Sequence, residues 1–163
     1  MEHIAYQGRM IEVVEKEVDL GKIKKVFELA RRSPGVRLII PKGNTILLSK
    51  EFRHEVGGYD YRLPGGKVYD SLTEYQEALS TNVAIEEAAK AAAIKEAGEE
   101  AGIAVSSLSF FHKSVCGATI VWDLFYFVVN EFTDTRQALE EGEDIEMEAI
   151  DAEKVKQMCL DGS

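Results

Sequence analysis

Three glutamates fall within five residues in the stretch Lys95-Glu96-Ala97-Gly98-Glu99-Glu100-Ala101-Gly102-Ile103. On a helix turning about 100° per residue they share an arc of about 100°, with Glu96 and Glu100 one turn apart. Like charges at that spacing destabilise an isolated helix by about 0.2–0.5 kcal/mol per pair. The C-terminal end of a helix, where the macrodipole is negative, disfavours anions further. Two readings follow. One is a solvated acidic face. The other is a site for a divalent cation, because carboxylate oxygens are what Mg²⁺ and Mn²⁺ prefer.

The elements that must position these residues are partly legible. Residues 84–101 are rich in alanine, glutamate and lysine and predict a long helix that stops at Gly102. Residues 72–80 predict a shorter one. "RMIEVVEKEVDL" (9–20) alternates as a strand does, whereas "KIKKVFELARR" (22–32) is ambiguous between strand and helix. "VRLII" and "TILLSKEF" read as two strands of a hairpin around Pro41-Lys42-Gly43-Asn44. A loop region follows in "HEVGGYDYRLPGGKV" and ends in a tight Pro-Gly-Gly turn. "IVWDLFYFVV" (120–129) predicts a buried strand. "EEGEDIEMEAI" predicts an acidic loop and a short edge strand, and a last helix is expected near 151–160. The sum is one mixed α and β domain.

Composition narrows the function. The chain has 163 residues and a formal net charge of −10, with a pI near 4.8. Such a surface repels phosphate backbones, which disfavours a nucleic-acid binder, although bound divalent ions reverse the sign locally. No apolar run reaches membrane-spanning length, and the start lacks a signal-peptide layout. Cys116 and Cys159 have no CxxC spacing. They are expected as small buried side chains in a reduced, cytoplasmic setting. His54 and His112 lack metal-ligand spacing, and Trp122 is expected in the core.

The segment from Gly65 to Ile103 resembles the signature of Nudix hydrolases, in which glycine, five residues, glutamate and seven residues precede arginine-glutamate-apolar-x-glutamate-glutamate-x-glycine-apolar. Residues 95–103 match the second half, with Lys95 in the arginine position, and Glu87 stands where the first glutamate is required. Thr81 occupies the glycine's place. If Gly66 is the box glycine, its distance to Glu87 is 21 rather than 6, an insertion of 15 residues at about 71–86. Lys95 keeps the charge and loses the planar fork of arginine. Phe52-Arg53 and Leu63-Pro64-Gly65-Gly66 are similar to the region before the box in ADP-ribose pyrophosphatases and related nucleoside-diphosphate-sugar hydrolases.

That resemblance implies an α/β fold, the Nudix α/β/α sandwich, with a mixed β-sheet and an N-terminal strand pair. It implies a single domain over 1–163, with residues 1–35 supplying strands that build a homodimer. It implies Mg²⁺, with Mn²⁺ a substitute, on Glu96, Glu99, Glu100 and the Gly65 carbonyl. Glu141 and Glu143 of the acidic loop, with Glu140 beside them, are the candidates for the general base, and Glu99 is assigned to catalysis as well as to metal. Arg53 and Arg62 are candidate phosphate clamps. Phe52, Tyr61 or Tyr59 would stack on a base or ribose. Glu87 falls about 180° from Glu96 and reads as peripheral. The implied substrate is a nucleoside diphosphate linked to a second group, ADP-ribose first. Nucleoside triphosphates and a non-catalytic nucleotide-binding module are the alternatives.

Overall fold

The computed structural model describes residues 2–162. In chain order the elements are β1 (Glu2–Gln7), β2 (Ile11–Asp19), β3 (Lys24–Arg32), β4 (Gly35–Ile39), β5 (Pro41–Lys42), β6 (Thr45–Arg53) and β7 (Gly58–Arg62). There follow α1 (Leu72–Ser80), α2 (Ile85–Glu99), β8 (Ile103–Val115), β9 (Ile120–Val121), β10 (Asp123–Asp134), β11 (Ile145–Asp151) and α3 (Ala152–Asp161). No helix among the described residues is long and apolar enough to cross a membrane.

The N-terminal alternation becomes a sheet of order β1-β2-β3-β9, so the ambiguous segment 22–32 is strand. A second sheet has order β4-β10-β8, with β4 parallel to β10 and β8 antiparallel to it. A third has order β11-β6-β5, and β7 pairs with β6. The mixed pairing and the helices α2 and α3 against the strands form the expected α/β architecture.

The broad hairpin expected over 36–52 is smaller than its turn chemistry suggests. Only Pro41 and Lys42 pair with Ile46 and Thr45. β4 instead runs beside β10, and its other edge is taken by the Pro-Gly-Gly segment. The Val36 N–H donates to the Gly66 carbonyl at 2.9 Å, and the Leu38 N–H donates to the Pro64 carbonyl at 2.8 Å. A strand has two hydrogen-bonding edges, and both of these are occupied. The strand expected over 120–129 is likewise divided at Trp122, which separates β9 on the N-terminal sheet from β10 on the second sheet. Cys116 and Cys159 are free and exposed. One lies in a turn after β8 and the other on α3, which has no buried residue, so neither is the buried side chain its type suggests.

α2 meets the second sheet through alanines. Ala89, Ala93 and Ala97 repeat every fourth residue and have 0% exposure. They pack with Val36, Leu38, Ile40, Phe125, Phe127 and Val129. Methyl-sized contacts bring the helix axis close to the strands, and this fixes the height of the acidic last turn above β4.

The insertion helix α1 docks on the N-terminal sheet. Ser71 caps it by accepting from the Glu74 N–H. The Leu72 N–H donates to the Arg9 carbonyl at 3.0 Å. Glu12 of β2, only 1% exposed, accepts from Arg31 Nε at 2.8 Å and Nη2 at 2.7 Å. It also accepts from Gln76 Nε2 of α1 at 3.3 Å. Glu12 is the buried member, whereas Arg31 also pairs with Glu2 at 3.1 Å, so losing Glu12 removes two charge-assisted contacts without stranding the guanidinium. Glu12→Ala is therefore expected to lower the free energy of unfolding by about 1–3 kcal/mol, read from urea denaturation.

Candidate active site

Glu96 and Glu100 reach across from the last turn of α2 to the Gly65–Gly66 turn, where Gly65 must be glycine and a side chain at Gly66 would displace the Glu96 carboxylate. A Cβ at Gly66 would lie 2.1 Å from Glu96 Oε1. Gly65 has φ +140°, and a Cβ there would lie 2.3 Å from the Val36 carbonyl oxygen. With no side chain in the way, the Gly65 N–H donates to Glu100 Oε2 at 2.7 Å. The Gly65 carbonyl is also engaged, accepting from Arg37 Nη1 at 2.6 Å. The same nitrogen donates to the Val36 carbonyl at 3.1 Å.

The segment after β10 ties down the C-terminal end of α2, whose last carbonyls have no partners within the helix. Gln137 Nε2 donates to the Glu100 carbonyl at 2.6 Å and to the Ile145 carbonyl at 3.1 Å. The Ala138 N–H donates to the Glu99 carbonyl at 3.0 Å. This anchors the start of the acidic loop against the cluster.

Burial and mutual repulsion govern the charges. Burial first, then Glu100, pushes the Glu96 carboxyl up to about 7, with Glu99 and Glu143 adding to the rise and Lys95 opposing it. Burial raises Glu100 as well, while the Gly65 N–H and Arg37 hold it down and Glu143 and Glu51 raise it. Burial lowers Arg37, against the field of Glu100 and Glu96. Glu99 points elsewhere: it pairs with Lys95 Nζ at 2.9 Å. Among the described residues no three His, Cys, Asp or Glu side chains converge as a ready metal cage. The pair Glu96 and Glu100 nevertheless offers hard oxygen donors and incompletely compensated negative charge, so the chemistry of the donors suits a divalent cation.

The remaining candidates divide. Glu143 lies within the field of both Glu96 and Glu100, and its carboxylate accepts from the Glu140 N–H at 3.0 Å. Glu141 is exposed on the same loop, and Glu87 is exposed on the first turn of α2. In the β6–β7 ladder, Glu51 pairs with Asp60, Ser49 with Arg62 and Phe52 with Tyr59. Alternation therefore puts Arg53 and Arg62 on one face and Phe52 and Tyr61 on the other.

Arg53 Nη2 pairs with Glu51 Oε2 at 2.6 Å, and Arg62 pairs with Asp60. Burial, then Arg53 and Arg37, lowers the Arg62 guanidinium, which places three arginines in one field with Glu100. On the opposite face, Lys50 Nζ sits 5.2 Å from the Tyr59 ring centre and 5.8 Å from that of Tyr61. Phe52 meets Tyr59 edge-on at 5.4 Å. Tyr61 also lines a cavity of about 270 Å³ beneath α3, with Ile46 and Met158.

Two residues of the site escape a local reading of the sequence. Arg37 is a lone charge in the apolar run "VRLII", which is the one signal it gives. Glu51 comes within the field of Glu100 only through the tertiary packing of residues far apart in sequence.

A sequence model of the NUDIX domain matches residues 30–161. The chain belongs to the NUDIX domain family. A solved structure described as the crystal structure of an ADP compounds hydrolase is similar in fold, with a TM-score of 0.73 over 98% of this chain and 80% of that one, at 15% identity. No curated protein matches the chain in sequence.

The raised Glu96 carboxyl has a consequence for stability. Between the ordinary value of 4.5 and about 7 the folded protein holds a proton that the unfolded chain releases, so stability falls as pH rises through that window. Glu96→Gln removes this cost. Without divalent ions, the variant is expected to be more stable than the parent by about 1–2 kcal/mol at pH 8, after allowance for solvent screening of a half-buried group. The gain should shrink to a small fraction of that at pH 5. Urea denaturation at the two pH values measures it.

Proposed function

We propose that the protein hydrolyses the diphosphate bond of a nucleoside diphosphate linked to a second group, with an ADP-ribose-like nucleotide sugar as the first substrate class. The observation that carries this reading is the pair of half-buried carboxylates, Glu96 and Glu100, held against the Gly65–Gly66 turn with Arg53 and Arg62 facing the same site. The fold shared with an ADP compounds hydrolase supports the nucleotide class.

Bound Mg²⁺ or Mn²⁺ would neutralise the diphosphate and lower the pKa of the attacking water. Glu96 and Glu100 would hold it, and Glu99 would join them on release from Lys95. Attack of water on one phosphorus breaks its bond to the bridging oxygen and yields two phosphomonoesters. Glu143, whose charge reaches Glu96 and Glu100, would take the water's proton, with Glu141 second on the same loop. Arg53 and Arg62 bind the non-bridging phosphate oxygens. Phe52 and Tyr61 lie on the far face of the ladder and belong to the support of that face.

The N-terminal sheet is the proposed homodimer surface, since Tyr6, Val26 and Phe27 are exposed on its strands. A second reading, a non-catalytic nucleotide-binding module, is favoured by the Lys95–Glu99 pair, which occupies one expected ligand.

Glu100→Gln is expected to keep the fold and to lower Mg²⁺-dependent turnover of ADP-ribose, or of the best substrate in a panel of nucleotide sugars and nucleoside triphosphates, by about 100-fold or more. Phosphate release coupled to a phosphatase reads it, with EDTA as the control. Undiminished turnover would remove the assignment. Silence of the parent across the panel, with nucleotide still bound, would favour the module.

A further inference from the structure

Arg37 stands alone as a charge on β4, between the buried Val36 and Leu38. Among the described residues it makes no ion pair within 4 Å, unlike Arg53 and Arg62. Its Nη1 instead bridges two backbone carbonyls, those of Gly65 and Val36. A guanidinium is a rigid donor that stays charged at all working pH values. Placed here, it lies in the field of Glu100 and Glu96 without touching either carboxylate.

Gly65 is therefore held from both sides. Its N–H is bound by an anion, Glu100, and its carbonyl by a cation, Arg37. A carbonyl oxygen beside two half-buried carboxylates is the donor set a divalent ion seeks. In this chain a resident cation has reached that carbonyl first.

We infer that Arg37 is a positioning residue that takes the place of a divalent ion at the Gly65 carbonyl, so that this carbonyl is a hydrogen-bond acceptor rather than a metal ligand and the site binds divalent cations through its carboxylates alone. The inference rests on the metal-binding reading of Glu96 and Glu100 given above. Two effects work together. The guanidinium takes one of the oxygen's two lone pairs, and its fixed charge repels a second cation from the other. The same contacts keep the Gly65 peptide oriented, so that its N–H stays on Glu100 when no metal is bound.

The test is calorimetric titration of Mn²⁺ into the full chain at pH 8, comparing the parent, Arg37→Met, Arg37→Lys and Glu96→Gln. Arg37→Met removes the charge and frees the carbonyl at similar length. It is expected to bind Mn²⁺ about tenfold or more tightly, or to take up a further ion per chain, whereas Arg37→Lys stays near the parent. Equal affinity and stoichiometry in Arg37→Met and the parent, with binding lost in Glu96→Gln, would overturn the role of Arg37 and leave the metal site standing. Absence of binding in every variant would overturn both.

Should Arg37→Met fail to fold, nitrogen NMR of the parent labelled at arginine decides. Slowly rotating Arg37 Nη signals that persist at saturating Mg²⁺ support the inference. Their collapse to those of a free guanidinium would show that the ion displaces Arg37, and would overturn it.

Discussion

The structure turns on the approach of a helix end to a bare backbone turn. Ala89, Ala93 and Ala97 set the helix close to the sheet, and hydrogen bonds from Val36 and Leu38 fasten residues 64–66 along the edge of β4. The two constraints converge where Glu96 and Glu100 meet Gly65 and Gly66. Larger residues in the stripe would lift the helix, and a side chain on either glycine would collide with Glu96 or with Val36. Nothing in that arrangement is stable for its own sake. It buries like charges at the unfavourable end of a helix dipole, and burial together with the neighbouring carboxylates drives the Glu96 carboxyl far from its ordinary range.

Local compensation explains how the cluster persists. The three clustered glutamates at the end of α2 are compensated unequally by nearby positive potential. Glu99 has Lys95, Glu100 has the Gly65 N–H and the field of Arg37, and Glu96 has only the weaker, through-space pull of Lys95. The least compensated carboxylate is the most perturbed. An electrostatic cost left unpaired beside a cluster of arginines is the pattern expected of a functional site, and here it lies within the segment matched by the family model.

What the sequence made legible was local in character. Glu96, Glu99, Glu100 and the Leu63–Gly66 turn are near neighbours in the chain, and their chemistry follows from spacing on one helix and one turn. Helices 72–80 and 84–101 were equally plain, because alanine, glutamate and lysine are strong helix formers. Arg37 and Glu51 were not legible, since Arg37 meets Gly65 and Glu51 comes within the field of Glu100 only through tertiary contact between residues far apart in sequence. The same blindness enlarged the hairpin: the Pro41–Asn44 turn chemistry is sound, but the edge of β4 was already claimed by residues 64–66. β8 escaped for another reason. Its burial runs without regular alternation, so no period marks it. The placement of Phe52 and Tyr61 opposite Arg53 and Arg62 is the exception, for two-residue alternation along "KEFR" and "GYDYR" already contains it.

Residues 71–86, expected from the sequence as an insertion, supply the helix α1, which packs on the N-terminal sheet. Its backbone meets Arg9, and Gln76 joins the buried Glu12–Arg31 pair. Buried ion pairs contribute little net stability compared with apolar packing, but they are intolerant of misplacement. Glu12 can be satisfied only when β2, β3 and α1 are all in register, so the pair specifies one orientation of the insertion. The cavity of about 350 Å³ beside it, lined by Arg32, Tyr75 and Asp123 among others, shows that the packing there is loose. Specificity at this junction therefore comes from the hydrogen-bonded charge rather than from close apolar contact. The insertion thus braces the segment that follows Gly66 against the N-terminal strands, while α2, α-carbon by α-carbon along its alanine stripe, sets the carboxylates.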